Sequence, residues 1–167
     1  MCDALLEAAP GGRLTAPPLL IGVGLEGWRD DAAGVRAARL VRALLWPRAR
    51  VVECAGNTAA LLEAWQGEPF VVVVDAMFSG APAGTVRRLD TARKPLPADL
   101  FRGSTHGLGL AEAVELARSL GRLPPALVIY GIEGADFGLG ARLSYPVECG
   151  VREAALNISE ELLATRN

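Results

Sequence analysis

Phe70-Val71-Val72-Val73-Val74-Asp75 is the stretch of this 167-residue chain that decides its fold. Four consecutive valines favour extended backbone, because a β-branched side chain fits a pleated surface better than a helical turn. The run has no polar alternation, so it is buried on both faces, as an interior strand of a parallel sheet is. Upstream, Leu19 to Val23 is another short apolar run, and it leads into a tight turn at Gly22-Val23-Gly24. Arg50 to Glu53, Gly84 to Leu89 and Ala126 to Ile132 read as further strands. Between them the apolar period changes to that of a helix. From Asp30 onward, Ala37, Leu40, Val41, Leu44 and Leu45 share one face and Arg36, Arg39 and Arg42 the other, until Pro47 stops the helix. Asp30 and Asp31 suit its N-terminus. Leu61, Leu62 and Trp65 mark a second helix, closed by Gly67. Leu110, Ala113, Val114 and Ala117 mark a third, with Ser104 or Thr105 as its cap. Val151, Ala154, Ala155, Ile158 and Leu162 outline the last.

Alternating strands and helices of this kind predict a three-layer α/β/α sandwich around a twisted, mainly parallel sheet of about five strands. Residues 1–18, rich in Ala, Gly and Pro, read as a flexible leader, and 19–167 as one α/β domain. A hydrophobic content of 51% is enough for one substantial core. With 17 basic and 19 acidic residues, the formal charge of −2 leaves no basic surface for nucleic acid. No apolar run approaches the roughly 18 residues of a membrane span. The start Met1-Cys2-Asp3 lacks the basic, then apolar, pattern of a secretory signal, so a cytoplasmic protein is expected. Cys2, Cys54 and Cys149 form no CxxC pair, which fits a reducing compartment.

In open parallel sheets, ligands bind beyond the carboxyl ends of the strands. Asp30 and Asp31 follow the first strand there, Asp75 ends the valine strand, and His106, the only histidine, opens a later helix. Two carboxylates and one imidazole make an N,O,O ligand set suited to nickel or zinc, with coordination positions left for a substrate. Acids at a helix start are also favoured by the helix dipole alone, and His106 could serve only as a polar cap. A competing pattern is Gly22-Val23-Gly24-Leu25-Glu26-Gly27, a GxGxxG turn after a strand, with Glu53 placed as a ribose-binding acid. Asp30 and Asp31 would then repel pyrophosphate at the helix start, and Arg29 would compensate only in part. Serine chemistry lacks a GxSxG elbow, and Ser104 stands two residues from the sole imidazole base. Cys54 with His106 is a formal thiol-peptidase pair.

Taken in order, several segments resemble those of the [NiFe]-hydrogenase maturation endopeptidases. Gly22-Val23-Gly24, Asp30-Asp31 and Gly34 resemble that family's opening GxGN, acidic pair and glycines. Val71-Val72-Val73-Val74-Asp75-Ala76 and Gly84-Thr85-Val86 resemble its strand-Asp-Ala segment and PGT-like sequel, and Ser104-Thr105-His106-Gly107-Leu108-Gly109-Leu110 its S-x-H-x-x-G-L segment. Tyr130-Gly131-Ile132-Glu133 and Leu143-Ser144-Tyr145-Pro146-Val147 resemble its GIE and LSP-V elements. The similarity runs from Leu19 to Leu163.

This resemblance implies an endopeptidase that trims the C-terminal extension of a nickel-loaded large-subunit precursor. The nickel arrives with the substrate, and another divalent cation can take its place on the isolated enzyme. It assigns the metal-engaging positions to Asp31, Asp75 and His106, and implies a monomer that meets its substrate transiently. Whether those residues catalyse or only recognise the ion, with a carboxylate as general base, stays open. So does a catalytically silent precursor binder. Leu25 stands where the family usually has Asn, Ala32 replaces a common glycine, and Asp31 is one methylene shorter than the glutamate of some members.

Overall fold

The computed structural model describes residues 17–91, 95–97, 100 and 109–165. Strand β1 (Leu19–Val23) is followed by a 3-10 turn (Arg29–Ala32), helix α1 (Ala33–Leu45), β2 (Arg50–Cys54), α2 (Thr58–Ala64), β3 (Phe70–Met77), β4 (Val86–Asp90), α3 (Leu110–Ser119), β5 (Ala126–Glu133) and α4 (Tyr145–Ala164). Of the leader read at 1–18, all but the last two residues lie outside the described residues.

The strands lie in the order β2-β1-β3-β5-β4. β1, β2, β3 and β5 are parallel, and β4 runs antiparallel to β5 at one edge. The valine strand is central, with Val71 to Val74 fully buried, as its lack of alternation requires. β4 starts two residues later than the sequence suggests. Gly84, at φ +84°, is still in the preceding turn, against the carbonyl of Pro146, where a Cβ would collide.

Successive side chains of the strands go to opposite layers. Leu20, Val72, Val74 and Val128 pack on Ala37, Ala38 and Val41 of α1 and on Ala154, Ile158 and Leu162 of α4. Leu19, Ile21, Val71, Val73 and Met77 pack on Leu61 of α2 and on Leu110, Val114 and Ala117 of α3. The buried faces of α3 and α4 are those the periodicity indicates. The cap of α3 differs: the helix begins after Gly109, whose N–H donates to Glu112 Oε2 at 3.0 Å, rather than after Ser104 or Thr105.

α1 departs from its expected face. Its buried stripe is Ala33, Ala37, Ala38, Val41 and Leu45, while Leu40 and Leu44 are 40% and 58% exposed. Small residues face the sheet because the helix comes very close to it. A Cβ on Gly22 would stand 2.5 Å from Ala38 Cβ, and one on Gly34 would strike the carbonyl oxygens of Val23 and Val74. That close approach sets the start of α1 directly over the ends of β1 and β3. Leu45→Ala should therefore cost about 2–4 kcal/mol and Leu44→Ala no more than about 0.5 kcal/mol, as measured by urea unfolding.

Candidate active site

The carboxyl ends of β1 and β3 carry three acids, Asp30, Asp31 and Asp75, and the chain treats each differently. After Val23 the backbone turns at Gly24, φ +138°, where a Cβ would run into the carbonyl oxygen of Asp31. Only glycine lets the loop fold back this far. The N–H of the next residue, Leu25, then donates to Asp31 Oδ2 at 2.7 Å. Asp31 is thus aimed by main chain, and the leucine at the family's asparagine position does not disturb that contact.

Asp30 faces the other way and is completely buried. Its carboxylate accepts from Ala135 N (2.9 Å), Asp136 N (2.9 Å), Ser144 N (2.7 Å) and Ser144 Oγ (2.9 Å). The two loops are joined further by Arg29 N to Gly140 O (2.9 Å), Gly140 N to Gly27 O (2.8 Å) and Asp30 N to Asp136 O (3.0 Å). Arg29, held at φ +40°, donates from Nε to Leu139 O at 3.1 Å and pairs with Asp136 at 3.2 Å. Backbone strain of this kind persists only where neighbours over-determine it. The expectation that Asp30 serves the helix start is corrected: α1 begins at Ala33 after the 3-10 turn, and the Asp30 carboxylate belongs to the 135–144 loop.

Asp75 sits inside β3 rather than after it, paired with Gly131, since the strand runs on to Met77. Its side chain is 6% exposed. Burial pushes the carboxyl up to about 8, the negative charge of Asp31 adds to this, and a hydrogen bond from the Ala76 N–H opposes it. Asp31 and Asp75 are therefore brought together, with Asp31 half-buried. His106, Ser104 and Thr105 lie outside the described residues, and among the described residues no group of three or more His, Cys, Asp or Glu side chains could hold a metal. A fourth acid, Glu133, is a structural group. It is fully buried and accepts from Ser79 N (2.7 Å), Ser79 Oγ (2.8 Å) and Gly80 N (2.9 Å), which pins the turn after β3. An acid closing an apolar strand was its available signal.

Neither part of the dinucleotide pattern is available for its ligand. Gly24 N donates to Cys54 O and Leu25 N to Asp31, so the glycine turn directs these amides to the protein itself. Glu53 takes Arg39 at 2.7 Å and Arg42 at 3.0 Å, and the hydrogen bond from Arg39 holds its carboxyl below the ordinary value. Cys54 is buried.

An α/β sandwich with two interacting acids at the carboxyl edge of its sheet is the class this geometry defines. The family model described as hydrogenase maturation protease matches residues 37–161. The chain is 30% identical over 125 residues to the hydrogenase expression/formation protein HupD of Thiocapsa roseopersicina, covering 72% of this chain and 57% of HupD, so it spans little more than half of that relative. It is 29% identical over 157 residues to HoxM of Azotobacter vinelandii, covering 92% and 75% of the two chains. The solved [NiFe] hydrogenase maturation protease HybD of Thermococcus kodakarensis superposes with a TM-score of 0.68 at 26% identity, over 88% of this chain and 99% of that one. The E. coli hydrogenase maturating endopeptidase HybD shares the fold, with a TM-score of 0.72 at 23% identity over 90% and 94%. The chain belongs to the hydrogenase maturation protease family. Among the described residues, no helix is long and apolar enough to cross a membrane.

The neighbouring aspartates should separate by experiment. Asp30→Ala strands four donors and should cost roughly 3 kcal/mol or more, whereas Asp31→Ala should cost about 1 kcal/mol or less, both from chemical denaturation. Asp75 should mark the pH profile of stability. Its folded value of about 8 lies above the unfolded one, near 3.9. Its contribution is complete below the unfolded value and is lost as pH rises through the folded one. Unfolding free energy should therefore fall between about pH 4 and about pH 8, by at most about 1.4 kcal/mol per pH unit from this group. In Asp75→Asn that part of the slope should vanish.

Proposed function

We propose that this protein is an endopeptidase that removes the C-terminal extension of a nickel-loaded [NiFe]-hydrogenase large-subunit precursor, and that Asp31, Asp75 and His106 engage the nickel the substrate brings. The observation that carries this reading is the Asp31–Asp75 pair, in a chain of the maturation protease family. A buried carboxyl whose proton affinity is raised by burial and by a neighbouring carboxylate is costly in a fold, and such groups concentrate at functional sites. A divalent cation supplies that charge. As it binds, Asp75 gives up its proton, so metal engagement should strengthen as pH rises toward about 8. The support for His106 is positional: α3 starts four residues later, at Leu110, and packs on the same sheet layer as Val71, Val73 and Met77. Asp75 alternates with those residues along β3 and so belongs to that layer.

In this reading the N,O,O set recognises a borderline ion and leaves positions for the substrate's own ligands and for the scissile carbonyl. Water adds to the carbonyl carbon, the C–N bond breaks, and the departing amine takes a proton. A carboxylate oxygen left free of the ion would carry that proton from the water to the amine. Asp30 takes no part, because four donors already engage its oxygens. The reading describes a cytoplasmic monomer that meets its precursor transiently.

The test is cleavage of nickel-loaded and nickel-free precursor by the wild type, Asp31→Ala, Asp75→Asn and His106→Ala. Only the loaded precursor should be cut, and each substitution should lower kcat/KM at least about 100-fold while circular dichroism stays unchanged. Equal cutting of nickel-free precursor would remove the ion from recognition. Binding without cutting would leave a silent binder.

A further inference from the structure

Three large apolar side chains lie exposed on the segments that leave the carboxyl ends of β3 and β5: Phe78 at 54%, Leu139 at 72% and Tyr145 at 75%. Phe78 stands three residues beyond Asp75, and its ring meets Phe137 edge to face, with centroids 6.3 Å apart. Both segments are fixed by buried carboxylates. Glu133 holds Ser79 and Gly80, directly after Phe78, and Asp30 holds Ala135, Asp136 and Ser144, on either side of Leu139 and directly before Tyr145. Loops so tied down have already lost their conformational freedom, yet the side chains they show to water contribute little to the core. Exposed apolar groups on rigid loops beside an active edge mark a place where something apolar binds. Of the nearby charges, Arg29 and Asp136 pair with one another, and Arg142 adds one exposed positive charge between Leu139 and Tyr145.

We propose that Phe78, Leu139 and Tyr145 form an apolar platform that seats an extended, apolar stretch of the substrate polypeptide flanking the bond to be cut. The proposal rests on the peptidase reading and adds to it the chemistry of the segment recognised. Continuity with the acid pair supports this occupant. Asp30, which clamps the platform loop, is the residue before Asp31, so the loop that shows Leu139 and Tyr145 is tied to the turn that carries the acid. Another exposed apolar set, Leu40, Leu44 and Leu156, lies along α1 and α4 rather than on the loops beside the acids.

The deciding experiment compares wild type with Leu139→Ser/Tyr145→Ser and with Phe78→Ser. It measures kcat and KM for nickel-loaded precursor, the Kd of the same precursor by titration, and the sedimentation of each enzyme alone. Solvent-exposed side chains can be exchanged without loss of fold. KM and Kd should each rise at least about 10-fold in the double variant, with kcat within about 2-fold of wild type. Unchanged KM and Kd would overturn the platform. If wild type binds precursor without cutting it, the peptidase reading fails, while the Kd comparison still decides the platform. If it neither binds nor cuts, both fail. A wild-type dimer that the substitutions dissociate, with Kd unchanged, would assign the surface to self-association and overturn the proposal.

Discussion

The buried carboxylate of Asp30 is the interaction on which the active edge depends. An ionised group withdrawn from water costs several kcal/mol unless donors replace its hydration. Here three backbone N–H groups and one hydroxyl do so, and all come from 105 to 114 residues away in sequence. The compensation works only if the 3-10 turn after β1 and the loop between β5 and α4 keep one relative position. That position in turn sends the next side chain, Asp31, toward the opposite layer and Asp75. One solvation requirement therefore fixes the geometry of a pair that would otherwise separate under its own repulsion.

Close packing supplies the second constraint. α1 reaches the ends of β1 and β3 only because Gly22, Gly34, Ala37 and Ala38 offer no bulk between helix and sheet. A thicker interface would lift the Arg29–Ala32 turn away from β3, and the charge of Asp31 would act on Asp75 from farther off. Glu133 repeats the logic of Asp30 at the end of β5, since its three hydrogen bonds decide how the chain leaves β3. Electrostatics and packing thus cooperate: small residues bring the acids near, and buried hydrogen bonds keep them oriented.

Much of this is legible from residues alone, for reasons that differ from place to place. Val71 to Val74 disclose a central strand because burial on both faces leaves no polar residue in the run, and Asp75 stands out against it for the same reason. The pairing of Asp31 with Asp75 follows from the general placement of sites at strand ends. What distinguishes Asp30 from Asp31 is not local. Both are acids at a helix start, and their different fates depend on Ser144 and the Ala135–Asp136 amides, which no spacing rule connects to them. Leu40 and Leu44 mislead because side-chain hydrophobicity marks a wide arc of α1, whereas the sheet selects the part of that arc narrow enough to approach. His106 falls outside the described residues, so its place beside the two acids rests on the family resemblance and on the start of α3.

The division between neighbouring acids also explains how a rigid fold can keep a reactive pair. Asp31 also accepts from its own loop, at Leu25 N, but the ties between distant segments fall to Asp30 and Glu133. Each of these two engages three or more donors. Asp75 is left with burial, the opposing charge of Asp31 and a single counteracting amide, the combination that raises its proton affinity. At neutral pH Asp75 therefore keeps its proton beside the charge of Asp31, which sets one hydroxyl donor and one negative group side by side at the edge.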